Sequence, residues 1–78
     1  VDHHNDIGAF VHMAPGCRTG GEVVVEEGVL VGLSACLLPR IRIGAWSVIG
    51  AGALVLYDVP GGVVAYGQPC RVIAAKEA

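Results

Sequence analysis

Residues 7–60 decide the fold, and they read as nine blocks of six: IGAFVH MAPGCR TGGEVV VEEGVL VGLSAC LLPRIR IGAWSV IGAGAL VLYDVP. The first position of each block is aliphatic or Met except at Thr19, and the fifth is small or β-branched except at Cys17. Glycine recurs at the second position. A short fixed period of this kind is typical of a repeat architecture.

This repeat predicts a parallel β-solenoid, an all-β fold. Each block is one short strand and a corner, and we expect the glycine at position two to make the turn. Three blocks close a triangular coil of eighteen residues, and coils stack about 4.8 Å apart, the ordinary strand spacing. A helix fits poorly because a period of six is not 3.6 and each interior glycine costs about 1 kcal/mol. An antiparallel sandwich would need Asn-Gly-type hairpin turns, which the sequence lacks.

The blocks divide the chain into coils and a C-terminal cap. Residues 1–60 are predicted to form coils 1–18, 19–36 and 37–54 and the start of a fourth. Residues 61–78 are predicted to form an extended segment and, from Cys70 onward, a short helix that caps the stack. Val1 is already in register with Ile7, without an initiating Met or capping element. We therefore expect a fragment or a truncated chain.

Residues eighteen apart are predicted to lie above one another. One outward column of this kind is charged and contains His4, Glu22, Arg40 and Asp58, in which opposite charges favour the register. A second column, Phe10, Gly28 and Trp46, places large apolar side chains outside the prism. Exposed apolar surface on a small chain marks an interface. The sequence therefore predicts a closed homotrimer.

Composition excludes several classes of function. The chain has 78 residues and a net charge of −2, with no Lys/Arg cluster, which argues against nucleic-acid binding. No apolar run approaches the length of a membrane span, and no signal peptide is recognisable. The three cysteines are odd in number and lack metal-binding spacing. Reduced thiols in a cytoplasmic protein are the simplest interpretation.

The blocks, the opening VDHHNDIGAFVH and the closing VVAYGQPCRVI together resemble the left-handed β-helix acyltransferases. The chain is most similar to their sialic acid O-acetyltransferase and UDP-4-amino-sugar N-acetyltransferase branch. The resemblance implies the left hand of the coil and an acetyl-CoA-dependent acetyltransferase acting on an amino or hydroxyl group of a sugar or nucleotide sugar. It also implies that an N-terminal acceptor-binding domain is absent here.

The resemblance implies a role for six residues. His3 is the general base that takes the acceptor's proton, and a neutral imidazole suits this near pH 7. The Gly21 N–H is the oxyanion donor, and its position eighteen residues after His3 places both at one corner. His12, Leu33 and Ala51 contact acetyl-CoA. Arg71 meets a CoA phosphate, for which Lys76 is a weaker candidate. The family's acidic residue after the base is His4 here, so Asp2 or Asp6 would have to tune His3.

Other interpretations stay open. His3 and His12 can be ordinary surface histidines, and Arg71 can pair with Asp58, Glu77 or the C-terminus. A zinc site of His3, His4 and His12 is disfavoured, because neighbours in a strand point to opposite sides, and we expect no metal. The alternative function is a catalytically silent β-helix module that only trimerises, or an inactive acyltransferase fragment.

Overall fold

The computed structural model describes residues 5–75. Eleven strands form within that range, nine of them two residues long at positions six and one of successive blocks. They are β1 Asp6–Ile7, β2 His12–Met13, β3 Arg18–Thr19, β4 Val24–Val25, β5 Leu30–Val31, β6 Cys36–Leu37, β7 Arg42–Ile43, β8 Val48–Ile49, β9 Leu54–Val55, β10 Val63–Tyr66 and β11 Arg71–Ala75. No helix lies within this range, and hence none that could cross a membrane.

The strands stack into three parallel faces, so the predicted prism is confirmed. Face A is β1-β4-β7, face B is β2-β5-β8-β10 with β11 added at its edge, and face C is β3-β6-β9. Partners through β9 lie eighteen residues apart, as in Ile7 with Val25 and Thr19 with Leu37. We name the corners by the faces that they join: the A–B edge (8–10, 26–28, 44–46 and 60–62), the B–C edge (14–16, 32–34, 50–52 and 66–68) and the C–A edge (20–22, 38–40 and 56–58).

The core is the inside of the prism. Its members are the inward residues of positions one and five, buried from the second coil upward: Val23, Val25, Val29, Val31, Ala35, Leu37, Ile41, Ile43, Ile49, Ala53, Val55, Val59 and Ala65. Ser47 is the polar member, and its hydroxyl donates to the Pro60 carbonyl over 2.6 Å. At about 25 cal/mol per Å² of buried apolar surface, these columns supply the main stabilisation, and no block can provide it alone.

Position four, rather than position two, turns the chain. Phe10, Glu22, Ser34, Arg40 and Trp46 all have φ between 54° and 63°, in the left-handed region. Glycine at position two serves close approach instead. A Cβ on Gly32 would lie 2.6 Å from the Ala51 nitrogen of the next coil, closer than van der Waals contact permits. The expectation that position-two glycine makes the turn is therefore wrong.

The fourth coil is two residues shorter than the others. Ile43 pairs with Val59, and Ile49 with Ala65, at an offset of sixteen. The predicted charged column is therefore correct for Glu22 and Arg40, which approach to 3.9 Å, and wrong for Asp58. Asp58 accepts a hydrogen bond from the Arg42 backbone N–H at 2.9 Å, two residues beyond the predicted partner Arg40.

The C-terminal segment is a strand where a helix was predicted. Arg71–Ala75 pairs antiparallel with Val63–Tyr66, with a register shift between Val64 and Ala65. Helix propensity is a weak prior that tertiary context overrides. Here the open edge of β10 offers a ladder of hydrogen bonds, and the helix prediction over residues 71–75 is wrong.

Candidate active site

The site residues predicted from the sequence fall on two edges of one prism. His3 and His4 lie outside the described residues. Gly21 lies on the C–A edge, whereas Leu33 and Ala51 lie on the B–C edge. Face C separates these edges by about five residues of extended chain, or roughly 16 Å at about 3.3 Å per residue. One prism therefore does not bring Gly21 and Leu33 together.

Gly21 lies on the C–A edge and is buried. Its carbonyl accepts from the Arg40 N–H at 3.1 Å, and its φ is +102°. Among residues 5–75 no hydrogen bond uses the Gly21 N–H. The residue one coil above is Pro39, which has no N–H to give. The ladder needs no donor at position three, since the Leu33 and Ala51 amides at the same position also donate no hydrogen bond among residues 5–75.

Leu33 and Ala51 stack on the B–C edge as predicted. The Gly52 N–H donates to the Leu33 carbonyl at 2.7 Å, which ties the two coils together. Leu33 is 55% exposed and Ala51 is exposed, so both offer apolar surface to the outside. A pocket of about 480 Å³ opens beside this edge and is lined by Gly16, Cys17, Arg18, Ser34 and Cys36.

His12 and Arg71 extend the same side of the molecule. His12 is exposed in β2 and pairs in register with Leu30 on face B. Arg71 is exposed in β11 and pairs with Tyr66, two strands beyond β8. The four predicted CoA contacts thus lie on face B or its B–C edge, and His12 and Arg71 are at opposite ends of that face.

Charge divides the prism in a way that the sequence analysis missed. The carboxylates of the described residues all lie on face A or its two edges: Asp6, Glu22, Glu26, Glu27 and Asp58. The Glu26 carboxylate binds the Arg42 guanidinium and accepts from the Ala45 N–H at 3.1 Å. The B–C edge carries no carboxylate among residues 5–75, whereas Arg18 and Arg71 lie on the faces beside it. An anionic ligand is therefore favoured along this edge. The eighteen-residue register could have revealed the pattern.

The described residues do not bring together the side chains that a metal ion needs. Within residues 5–75 no group of three or more His, Cys, Asp or Glu side chains could hold a metal ion. Cys17 donates to the Gly32 carbonyl at 3.0 Å. Burial raises the pKa of the Cys70 thiol above its ordinary value, which keeps it protonated and unreactive near neutral pH.

Comparison with known proteins places this geometry in context. No protein-family profile matches the chain. It is 38% identical over 76 residues to a 2,3,4,5-tetrahydropyridine-2,6-dicarboxylate N-acetyltransferase of Staphylococcus aureus (strain Newman), covering 87% of this chain and 32% of that protein. It is 49% identical over 57 residues to a galactoside O-acetyltransferase of Lactococcus lactis subsp. lactis (strain IL1403), covering 73% of this chain and 28% of that protein. The chain thus spans about a third of these relatives' length.

Two solved structures share the fold at recognisable identity. A serine acetyltransferase in complex with cysteine superposes with a TM-score of 0.75 and 32% identity, covering 82% of this chain and 30% of that one. A galactoside acetyltransferase in complex with coenzyme A superposes with a TM-score of 0.76 and 28% identity, covering 97% and 47%. These matches do not single out the sialic acid O-acetyltransferase branch. By sequence and by fold, the chain belongs to the hexapeptide-repeat left-handed β-helix acyltransferase family.

Proposed function

We propose that the protein is an acetyl-CoA-dependent acetyltransferase whose acceptor is an amino or hydroxyl group of a sugar or nucleotide sugar. The observation that carries this proposal is the edge without carboxylates, where Leu33 and Ala51 offer an open apolar path for a polyanionic thioester. The coenzyme A complex of the similar galactoside acetyltransferase supports the co-substrate. The galactoside relative supports a sugar acceptor.

The reaction we propose is direct transfer between bound acceptor and bound thioester. The acceptor nitrogen or oxygen attacks the thioester carbonyl carbon while His3 takes its proton. The carbonyl oxygen becomes negative, and the Gly21 N–H, which donates no hydrogen bond among residues 5–75, donates one to it. The C–S bond then breaks, acetyl stays on the acceptor, and the sulfur leaves as CoA thiolate, which gains a proton. Asp6, in β1 on the exposed side of face A, is the described carboxylate nearest in sequence to His3.

The site we propose is shared between copies of the chain. Because face C separates Gly21 from Leu33, a thioester along the B–C edge meets the C–A edge of a neighbouring prism. A homotrimer with a three-fold axis parallel to the prisms repeats that contact three times. Leu30 on face B, 44% exposed, and Val48 beside it supply apolar surface for the interface. The free thiols of the described residues agree with the cytoplasm as its compartment.

Ligand binding and turnover test this proposal in sequence. CoA at a hundred times its Kd stabilises the folded state by about 2.7 kcal/mol, which a thermal unfolding scan detects. CoA release is then followed with a galactoside, an amino-sugar nucleotide and serine as acceptors. His3→Ala should lower turnover by roughly 10²–10⁴-fold, the usual range for a general base. The matched control is His4→Ala, which should retain most activity.

Three outcomes would reject parts of this account. Without any CoA-induced stabilisation, the chain is the silent trimerising module. CoA binding without turnover on any sugar would remove the acceptor class. Equal turnover of wild type and His3→Ala would remove the base.

A further inference from the structure

Tyr66 is the unusual residue of the B–C edge. Position two along this edge is otherwise small, with Ala14, Gly32 and Gly50 in the three coils below. The Tyr66 side chain lies directly against Gly50: a Cβ built on that glycine would be 2.5 Å from the Tyr66 Cβ and 2.9 Å from its Cδ2. Tyr66 is nevertheless 51% exposed. One side of the side chain is held against the prism, and the rest of it is open.

Arg71 lies beside this ring. The two residues are cross-strand partners in the antiparallel pair of β10 and β11, and directly opposed side chains have Cβ atoms about 4.5–5.5 Å apart. The intervening turn is fastened to the coil below, since the Gln68 side-chain amide donates to the Gly52 carbonyl at 2.6 Å. The Leu54 N–H also donates to the Gly67 carbonyl at 3.0 Å. An aromatic ring and a guanidinium are thus presented together on an anchored hairpin.

The position of this pair along the prism matches the nucleotide end of the co-substrate. Tyr66 lies two coils above Leu33, about 10 Å at the ordinary strand spacing, on the side away from Gly21. A thioester that reacts beside Gly21 and runs past Leu33 and Ala51 therefore leads its diphosphate and base toward Tyr66 and Arg71. We propose that the adenine of CoA stacks on the open side of Tyr66, beside the phosphate that Arg71 is already expected to bind. This inference rests on the proposed co-substrate.

The chemistry of the pair favours a base with a phosphate over other ligands. Every nucleobase has a π-face that an aromatic side chain can stack against, and guanidinium forms strong charge-assisted bonds to phosphate oxygens. No carboxylate of residues 5–75 lies on the B–C edge to repel the phosphates. Tyr66 is then a residue that selects for the adenosine part of the co-substrate.

Calorimetric titration of the full chain with two ligands tests this inference. CoA carries the adenosine, whereas phosphopantetheine has the same arm and one phosphate but no adenosine. Tyr66→Ala should weaken CoA binding at least about fivefold, the low end for loss of one base–aromatic stack, and leave phosphopantetheine binding unchanged. Tyr66→Phe retains the ring and should bind CoA like the wild type. Val72→Ala, 48% exposed in the same strand as Arg71, removes apolar surface from this hairpin without touching the ring, and this control should also bind normally.

The outcomes separate this inference from the proposed function. If the wild type binds neither ligand, the proposed co-substrate itself is wrong. If it binds CoA and Tyr66→Ala binds CoA equally well, only the stacking inference is overturned. An equal loss of both ligands in Tyr66→Ala also overturns it, because the ring would then act on the arm or the hairpin. Arg71→Gln should weaken CoA binding with a smaller dependence on salt than the wild type shows, and an unchanged salt dependence contradicts the phosphate contact.

Discussion

Two leucines four residues apart, Leu33 and Leu37, allow the same Leu→Ala change to be made once on the outside of the prism and once in its core. Leu37 is fully buried in the prism between Thr19 and Val55, whereas Leu33 is 55% exposed on the B–C edge. Leu→Ala in a core costs about 2.7–5 kcal/mol, more where the cavity cannot collapse. Here the Gly20 N–H and Leu38 N–H bonds, at 2.8 and 3.1 Å, hold the neighbouring coils at fixed spacing.

We therefore expect Leu37→Ala to lower the free energy of unfolding by about 3–4 kcal/mol. A chain of this length has roughly 4–12 kcal/mol in total, so the midpoint of thermal unfolding should fall by roughly 12–30 °C. Leu33→Ala removes a side chain that is only half-buried and should cost about 1 kcal/mol or less. It should, however, weaken CoA binding about fivefold, the equivalent of about 1 kcal/mol.

Circular dichroism at increasing temperature measures the first effect, and calorimetric titration with CoA measures the second. Leu37→Ala should lose more unfolding free energy than Leu33→Ala, whereas Leu33→Ala should lose more CoA affinity than Leu37→Ala. Equal loss of stability in both would contradict the inward and outward assignment of the hexapeptide positions. A Leu33→Ala variant that binds CoA as tightly as the wild type would remove the B–C edge from the site.

Three further perturbations address single contacts. Gly28→Ala would place a Cβ inside the Trp46 ring, so the emission of this single tryptophan should shift as the indole is displaced. Ser47→Ala leaves the Pro60 carbonyl without its 2.6 Å donor and should cost about 1–3 kcal/mol in chemical denaturation. Burial raises the pKa of the Cys70 thiol. The resulting contribution to stability is present below the ordinary thiol pKa of about 8.5 and is lost as pH rises through the higher pKa of the folded state. Cys70→Ser should remove this loss of stability at alkaline pH.

Each of these perturbations has a control on the same scaffold. Gly52→Ala introduces a Cβ at φ +70° with no atom within 4 Å, so it strains the backbone without moving the indole. Ser34→Ala changes an exposed serine and should leave stability nearly unchanged. Cys36→Ser should keep the alkaline loss of stability. A tryptophan shift in Gly52→Ala, or a neutral Ser47→Ala, would contradict the packing described.

The hexapeptide period predicted the prism because inward positions one and five must be apolar or small in every coil. It did not predict the corners correctly. Position four is left-handed both where it holds glycine, as in Gly28 and Gly52, and where it holds Phe10 or Trp46. Because glycine is not confined to this position, the distribution of glycines does not reveal where the chain turns. The two-residue shortening of the fourth coil cannot be seen in the hexapeptide period. Asp58 occupies the expected position in the sequence, eighteen residues after Arg40, but in the structure it lies beside Arg42.

The sequence predicts those relations between site residues that lie within a single prism. Leu33 and Ala51 stack because they are eighteen residues apart, and the register gave that relation directly. The composition of residues 71–75 favours a helix. The free edge of β10 instead makes this segment a strand, which brings Arg71 beside Tyr66. The sequence does not single out Tyr66, because its contrast with Gly32 and Gly50 shows only when the coils are stacked.

Subunit mixing tests the shared site most directly. His3→Ala removes the proposed base, which acts together with Gly21 of the C–A edge. Leu33→Glu places a carboxylate on the B–C edge that repels the co-substrate. Each variant alone should be inactive on the best acceptor. The two are then unfolded and refolded together in equal amounts. If each site joins the C–A edge of one copy to the B–C edge of the next, about a quarter of the sites in a random cyclic trimer contain both intact edges, and acetyl transfer should recover to about that fraction of the wild-type rate. A mixture that stays inactive while trimers form, or a chain that remains monomeric and fully active, would contradict the account.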